Sequence, residues 1–253
     1  MHPHLLKLLV NNKGKGFFRA ESSQTDEATI FLYDVIVSDD WWGGITPLTF
    51  MKELASISAP IIHLRINSPG GDVFAARAMQ TAMREHPGKI IAHVDGWCAS
   101  AATFLAIAAD ESVISKGGMF MIHNAWSIAM GNAKDFTDMA NLLTKIDGSI
   151  ASDYVAKSGQ AEQQIIDWMA AETYFLDQEA VDAGFVDAVA EAAPKAQINW
   201  DLSAYEHAPT QNSQKPGDNL DPAEPTPITQ AEQPEPTAQH PKNRPKWREF
   251  KAA

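Results

Sequence analysis

Residues 90–110 constrain the fold of this chain more than any other stretch. An apolar, β-branched run from Ile90 to Val94 leads into Asp95-Gly96-Trp97-Cys98-Ala99-Ser100, and a segment built largely from alanine then runs to about Ala109. Such a sequence reads as a strand that ends at Val94, a turn at Gly96 and a buried helix. Ser100 sits at the corner. A serine there is either the helix N-cap, accepting a bond from an early N–H, or a nucleophile beside backbone N–H groups free to hold an oxyanion. Taken alone, the stretch reads as a cap.

The same alternation of strand and helix extends to both sides. Thr29–Val37 is rich in β-branched and aromatic residues and reads as a strand. Asp39 to Gly44 is a loop, and Thr46-Pro47 starts a helix with a cap and a proline at its first position. Ala59–Ile66 is near-continuously apolar, as in a strand buried on both faces. Asn67-Ser68-Pro69-Gly70-Gly71-Asp72 follows at once, then a helix over Val73–Arg84 and a strand from Lys89. Ser112–Ser115 and Met119–Ile122 are further short strands. The order implies an α/β fold with a mostly parallel sheet and helices on its faces.

Beyond Gly131 the pattern changes. Asn132 caps a helix in which Phe136, Met139, Leu143, Ile146 and Ile150 recur at spacings of three and four, closed by Gly159. A helix of about seven turns leaving a compact body is most simply explained by oligomerisation. Gln164–Ala170 is a short helical piece, and Asp177 caps another helix that stops at Gly184.

Three segments are expected: a flexible N-terminal stretch over 1–27, an α/β domain over 28–192, and a mostly disordered acidic, proline-rich tail over 193–253 with a basic end. Between Glu206 and Pro241 there are eight prolines and six acidic residues, and Leu220 and Ile228 are the only large aliphatics. Such a segment buries too little apolar surface to offset its ordering entropy.

The net charge of −12 argues against general affinity for nucleic acid or an anionic membrane. No apolar run is long enough to span a bilayer, and the N-terminus lacks the pattern of a signal peptide. A cytoplasmic location is expected. The single cysteine, Cys98, excludes an intramolecular disulfide or a cysteine-based zinc cluster, and neither a metal nor a cofactor is expected.

Three places combine as candidate chemistry. Gly70-Gly71 follows a strand directly, where it is either a tight turn or a place where another backbone approaches and N–H groups are freed. Phosphate binding is disfavoured, because neither dinucleotide nor P-loop glycine spacing is present. Ser100 is followed by Ala101. His123 ends the run Met119-Phe120-Met121-Ile122, at the sheet edge where α/β sites form. A serine needs a base to become a nucleophile, and His123 is the candidate.

Asn67-Ser68-Pro69-Gly70-Gly71, Gly96-x-x-Ala99-Ser100 and Met121-Ile122-His123, in that order, resemble the ClpP family of self-compartmentalising serine proteases. Gly131-x-Ala133-x-Asp135 and Phe175-Leu176-x-x-Glu179-Ala180-x-x-x-Gly184-x-x-Asp187 extend the resemblance, which covers residues 28 to 190. It implies a crotonase-like α/β fold with a handle helix over 132–158 and assembly into stacked homo-oligomeric rings through that helix. It also implies proteolysis by Ser100 as nucleophile and His123 as general base, with the N–H groups of Gly71 and Ala101 as oxyanion hole.

One position departs from the pattern. The family's third residue, an aspartate, falls on Thr173, with Glu172 before it as the alternative. On an extended segment the two would point to opposite faces. Trp41-Trp42-Gly43-Gly44-Ile45-Thr46 resembles the ClpP-like head maturation proteases of tailed bacteriophages, which cleave capsid or scaffold proteins without an unfoldase. The alternatives are a Clp-type proteolytic subunit fed by an ATP-dependent unfoldase, a crotonase-like enzyme acting on an acyl-CoA thioester, and a non-catalytic capsid assembly or scaffold protein.

Overall fold

The structure, a computed structural model, describes residues 3–22, 26–41, 43–190 and 198–209. Among these, the strands are β1 (Phe17–Ser22), β2 (Glu27–Tyr33), β3 (Ile61–Ser68), β4 (Lys89–Ala99), β5 (Glu111–Ser115), β6 (Met119–Ile122), β7 (Thr173–Leu176) and β8 (Ala188–Ala190). The helices are α1 (Pro3–Asn12), α2 (Pro47–Ser56), α3 (Val73–Glu85), α4 (Thr103–Ala108), α5 (Ala133–Ser158), α6 (Glu162–Ala170) and α7 (Asp177–Asp182). One sheet runs in the order β1-β2-β3-β4-β5-β8, with β6 paired to β4 and β7 paired to β6. The pairings from β2 to β8 and that of β4 with β6 are parallel; β1–β2 and β6–β7 are antiparallel. The expected α/β architecture, a mostly parallel sheet with flanking helices, is the one observed.

Residues Ile62, Leu64 and Ile66 of β3 and Ile90, Ala92 and Val94 of β4 join Phe50, Met79 and Phe104 from the helices in one apolar cluster. The other face is not fully buried, contrary to the reading of Ala59–Ile66 as enclosed on both sides. Here β3 carries His63 and Arg65, and β4 carries His93 and Asp95. Arg65 Nε donates to Asp95 Oδ2 over 2.7 Å, Tyr33 donates to the same oxygen over 2.5 Å, and His63 Nδ1 lies 2.8 Å from His93 Nε2. Polar side chains at alternate positions of a strand need such partners when half-buried.

Strand β4 continues five residues past the expected end at Val94. Its first half pairs with β5 (Ile91–Val94 against Glu111–Ile114) and its last residues, Trp97–Ala99, pair with β6. On the other side the register with β3 shifts between Ile66 and Ser68. Gly96 there serves a close approach and not a turn: a Cβ would lie 3.0 Å from Asn67 Oδ1, a tight contact. That oxygen accepts the Trp97 N–H and the Trp200 indole N–H, each at 3.0 Å.

Helix α5 begins at an Asn132–Asp135 capping box and ends at Gly159, with φ of +70°, in agreement with the sequence reading. Its buried residues, Ile150, Ala151 and Tyr154, lie in its second half, while Phe136 and Leu142 in its first half are exposed. At α7 the cap position is Leu176 rather than Asp177, which is the first helical residue. Among the described residues no helix is long and apolar enough to cross a membrane.

Two corrections concern the ends. The N-terminal stretch expected to be flexible holds α1 and the edge strand β1, which pairs with β2 along its whole length. The tail expected from 193 contains a packed segment over 198–209. Trp200, Leu202, Ala204 and Tyr205 form a second apolar cluster with Leu8 and Leu9 of α1, Val35, Val37, Ala99 and Met121. Each end supplies part of the apolar surface that buries the other. The proline-rich stretch and basic end, from residue 210 on, lie outside the described residues.

Because Trp200 is 1% exposed and hydrogen-bonded to Asn67, Trp200→Ala should destabilise the fold by about 3–5 kcal/mol. Urea unfolding of the full chain measures this. A cost under about 1 kcal/mol would mean that the segment is not part of the core.

Candidate active site

The loop after β3 is shaped by crowding. Gly70 has φ of +89° and Gly71 of +145°. A Cβ on Gly71 would meet the Ile36 carbonyl oxygen at 1.9 Å, and one on Gly70 would meet the Ala99 oxygen at 2.4 Å and Ser100 Cβ at 2.9 Å. No side chain fits at either place. Ile36 donates to the Gly70 carbonyl over 2.8 Å and accepts from the Asp72 N–H over 2.9 Å. A residue bridged in this parallel fashion directs its own N–H to the opposite side, so the Gly71 N–H faces away from Ile36. Ser68 Oγ fixes the root of the loop by donating to Asp34 O over 2.6 Å and accepting from the Gly70 N–H over 3.1 Å. Asp72 then caps α3 by accepting from the Ala75 N–H over 2.7 Å.

Ser100 follows β4 and opens a 3-10 turn over Ser100–Ala102 that leads into α4. It is not a cap. Ala99 holds that position, with no side-chain capping bond, and Ser100 itself has φ of +54°. A non-glycine residue in the left-handed region costs on the order of 1–2 kcal/mol, so the surrounding structure must impose it. Thr103 Oγ1 contributes by donating to Ser100 O over 2.5 Å and contacting the Tyr154 hydroxyl of α5 over 2.5 Å. Ala101, second in the turn, has an N–H of the kind a helix start leaves without an intrahelical acceptor.

His123 stands just past β6, which pairing of Met121 with Ala99 sets beside the end of β4. Its Nε2 lies 2.7 Å from Ser100 Oγ. Burial pushes its pKa from 6.5 down to about 4; the Glu172 charge opposes the shift and His4 adds to it. The ring is therefore neutral near pH 7 and can accept the serine proton.

The two candidates for a third group have different partners. Thr173 Oγ1 donates to the Trp168 carbonyl over 2.8 Å. Glu172 has φ of +49°, which breaks the strand alternation assumed for it. Its carboxylate accepts from the Tyr174 hydroxyl (2.9 Å) and from the N–H groups of His207 (2.7 Å) and Glu206 (3.1 Å), and its charge acts on His123.

Sequence reasoning missed the segment that carries these donors. Tyr205 packs edge-on against His123 with ring centroids 5.2 Å apart, and its hydroxyl donates to the Pro69 carbonyl. A signal was available: Ile198, Trp200, Leu202 and Ala204 alternate with polar residues, a strand-like period ahead of the proline-rich stretch.

Ser100, His123 and Gly71 open onto a cavity of about 240 Å³ lined chiefly by Phe74, Phe104, Leu143, Ile146 and Ile150. Among the described residues no group of His, Cys, Asp and Glu is arranged to hold a metal ion.

The profile of the Clp protease family matches residues 13–193. The chain belongs to the Clp protease family. It is 29% identical over 134 residues to the ATP-dependent Clp protease proteolytic subunit 1 of Leifsonia xyli subsp. xyli, covering 52% of this chain and 68% of that one. Against proteolytic subunit 1 of Synechococcus sp. (strain CC9902) it is 24% identical over 194 residues, covering 75% and 98%. The corresponding subunit of Prochlorococcus marinus (strain NATL2A) is 25% identical over 194 residues, with the same coverage. The chain is thus a ClpP-like serine peptidase, a hydrolase of peptide bonds. The family match begins before β1 and ends short of the 198–209 segment.

Protonation of His123 is disfavoured in the folded chain, so between about pH 6.5 and about pH 4 the unfolded chain binds more protons. Stability present above 6.5 is lost as pH falls through that window, by on the order of 3 kcal/mol from this group. His123→Ala should flatten the pH dependence of urea unfolding there. In the active protein the acid limb of kcat/KM should lie nearer 4 than 6.5; a limb at 6.5 would contradict an enclosed, neutral His123.

Proposed function

We propose that this chain is a serine endopeptidase in which Ser100 is the nucleophile and His123 the general base. The observation that carries the reading is the 2.7 Å contact between Ser100 Oγ and His123 Nε2. Ser100 Oγ attacks the scissile carbonyl carbon as its proton passes to Nε2, and the carbonyl electrons move onto oxygen. The N–H groups of Gly71 and Ala101 receive that oxyanion. Collapse of the intermediate expels the amine, which takes the proton from His123 and leaves an acyl-enzyme. Water, deprotonated by the same histidine, then releases the acid. The steps need neither metal nor cofactor.

Glu172, and not Thr173, is the group that supports His123. Its carboxylate favours imidazolium as that cation forms, whereas the Thr173 hydroxyl is engaged with Trp168. The apolar cavity beside Ser100 suits an aliphatic or aromatic side chain on the residue that contributes the scissile carbonyl. The exposed Phe136 and Leu142 on α5 support assembly of a homo-oligomeric ring through that helix.

The biological reading is a head maturation protease that cleaves capsid or scaffold proteins in the cytoplasm of an infected or lysogenic bacterium. Trp41–Thr46, with Trp41 84% exposed, and the acidic proline-rich tail support it. The relatives' description as ATP-dependent proteolytic subunits favours a second reading, a peptidase fed by an unfoldase. Co-expression with candidate capsid and scaffold proteins separates them. Wild type alone should process a structural protein at defined sites by intact mass, Ser100→Ala should not, Glu172→Gln should slow processing about 10- to 100-fold, and Thr173→Val should leave it near wild type. Processing only in the presence of an unfoldase would favour the second reading.

A further inference from the structure

Residues 198–209 touch, in turn, every loop that carries a candidate catalytic group. The Trp200 indole N–H donates to Asn67 Oδ1, near the end of β3 and just before the loop that holds the glycine pair. The Tyr205 hydroxyl donates to the carbonyl of Pro69, the residue before that pair. Its ring meets His123 edge-on. The next two N–H groups, of Glu206 and His207, hold the carboxylate of Glu172.

The segment does not block the site. The cavity onto which Ser100 opens is lined by α1, the α3 start, the residues after His123 and α5, and by no residue of 198–209. Substrate thus has one side of the Ser100–His123 pair and the segment has the other. A buried tyrosine whose hydroxyl already donates to a backbone carbonyl is not available as an acid or an oxyanion donor. Its position instead fixes two groups relative to one another, the imidazole against its ring and the glycine loop through Pro69, and that loop abuts Ser100.

We propose that 198–209 is a strap that completes the active site from behind, with Tyr205 as a positioning residue that sets the nucleophile, base and oxyanion loop in register. The inference rests on the reading of Ser100 and His123 as nucleophile and base. Misplacement of reacting groups by a fraction of an ångström to an ångström costs rate and not binding, and the strap is placed to prevent it.

The test uses the full chain and two variants. Tyr205→Phe keeps the ring against His123 and removes only the tie to Pro69; Tyr205→Ala removes both. For Tyr205→Phe, kcat and the second-order rate of fluorophosphonate labelling should both fall about tenfold, with KM within about twofold and melting unchanged. Tyr205→Ala should lose about a hundredfold and, by admitting water to the imidazole, move the acid limb of kcat/KM upward toward 6.5. If Tyr205→Phe labels and cleaves like wild type, the strap is only part of the core and the proposal fails. A loss confined to KM, with the acid limb unmoved in Tyr205→Ala, overturns it equally. Failure of the underlying reading has a different signature, a wild-type protein that does not label at Ser100.

Discussion

The fit of Gly70-Gly71 between two backbones is the constraint on which the site depends. Ile36 lies on one side and Ala99–Ser100 on the other, at distances where any Cβ would collide. That crowding has three consequences. It registers the loop after β3 against the end of β4, it turns the Gly71 N–H away from Ile36, and it presses against Ser100, which is held at φ of +54°. A serine in this conformation is disfavoured locally and persists only because Thr103, Tyr154 and the glycine loop over-determine it. The strain sits at the residue whose hydroxyl lies 2.7 Å from His123, just past the end of the adjacent strand.

Electrostatics follow from the same enclosure. Ser100 can be activated only by a base that is unprotonated, and burial keeps His123 in that state over most of the physiological range. The cost is that imidazolium, once formed, is poorly solvated. Glu172 offsets this through its charge, and it is itself held by three donors, two of them backbone N–H groups from beyond the family domain. A neutral base and a nearby carboxylate are compatible because desolvation outweighs the carboxylate's effect in the resting state.

Much of this was legible in the sequence. The alternation of apolar strands and amphipathic helices gives the parallel sheet, the Asn132 and Gly159 signals bound α5, and the ordered motifs place Gly70-Gly71, Ser100 and His123 at one sheet edge. What was not legible has physical reasons. Gly96 resembles a turn glycine but serves close approach to Asn67 inside a continuing strand. The alternation expected of Glu172 and Thr173 fails because nothing in a Glu-Thr pair announces a left-handed residue. Residues 3–12 and 198–205 are each apolar enough to pack but too short to announce a core alone, and their apolar faces are buried only against each other and the sheet. Thr173 stands where the resemblance expects a carboxylate, and only the fold shows its hydroxyl turned to the Trp168 carbonyl while the charge of Glu172 acts on His123.

Intact-mass and peptide mapping after reaction with a fluorophosphonate tests the central claim most directly, the activation of Ser100 by His123. The expected result is a single phosphonyl adduct on Ser100 in the wild type, abolished in Ser100→Ala and slowed by at least about a hundredfold in His123→Ala. An adduct on another serine, or undiminished labelling of Ser100 without His123, would contradict it.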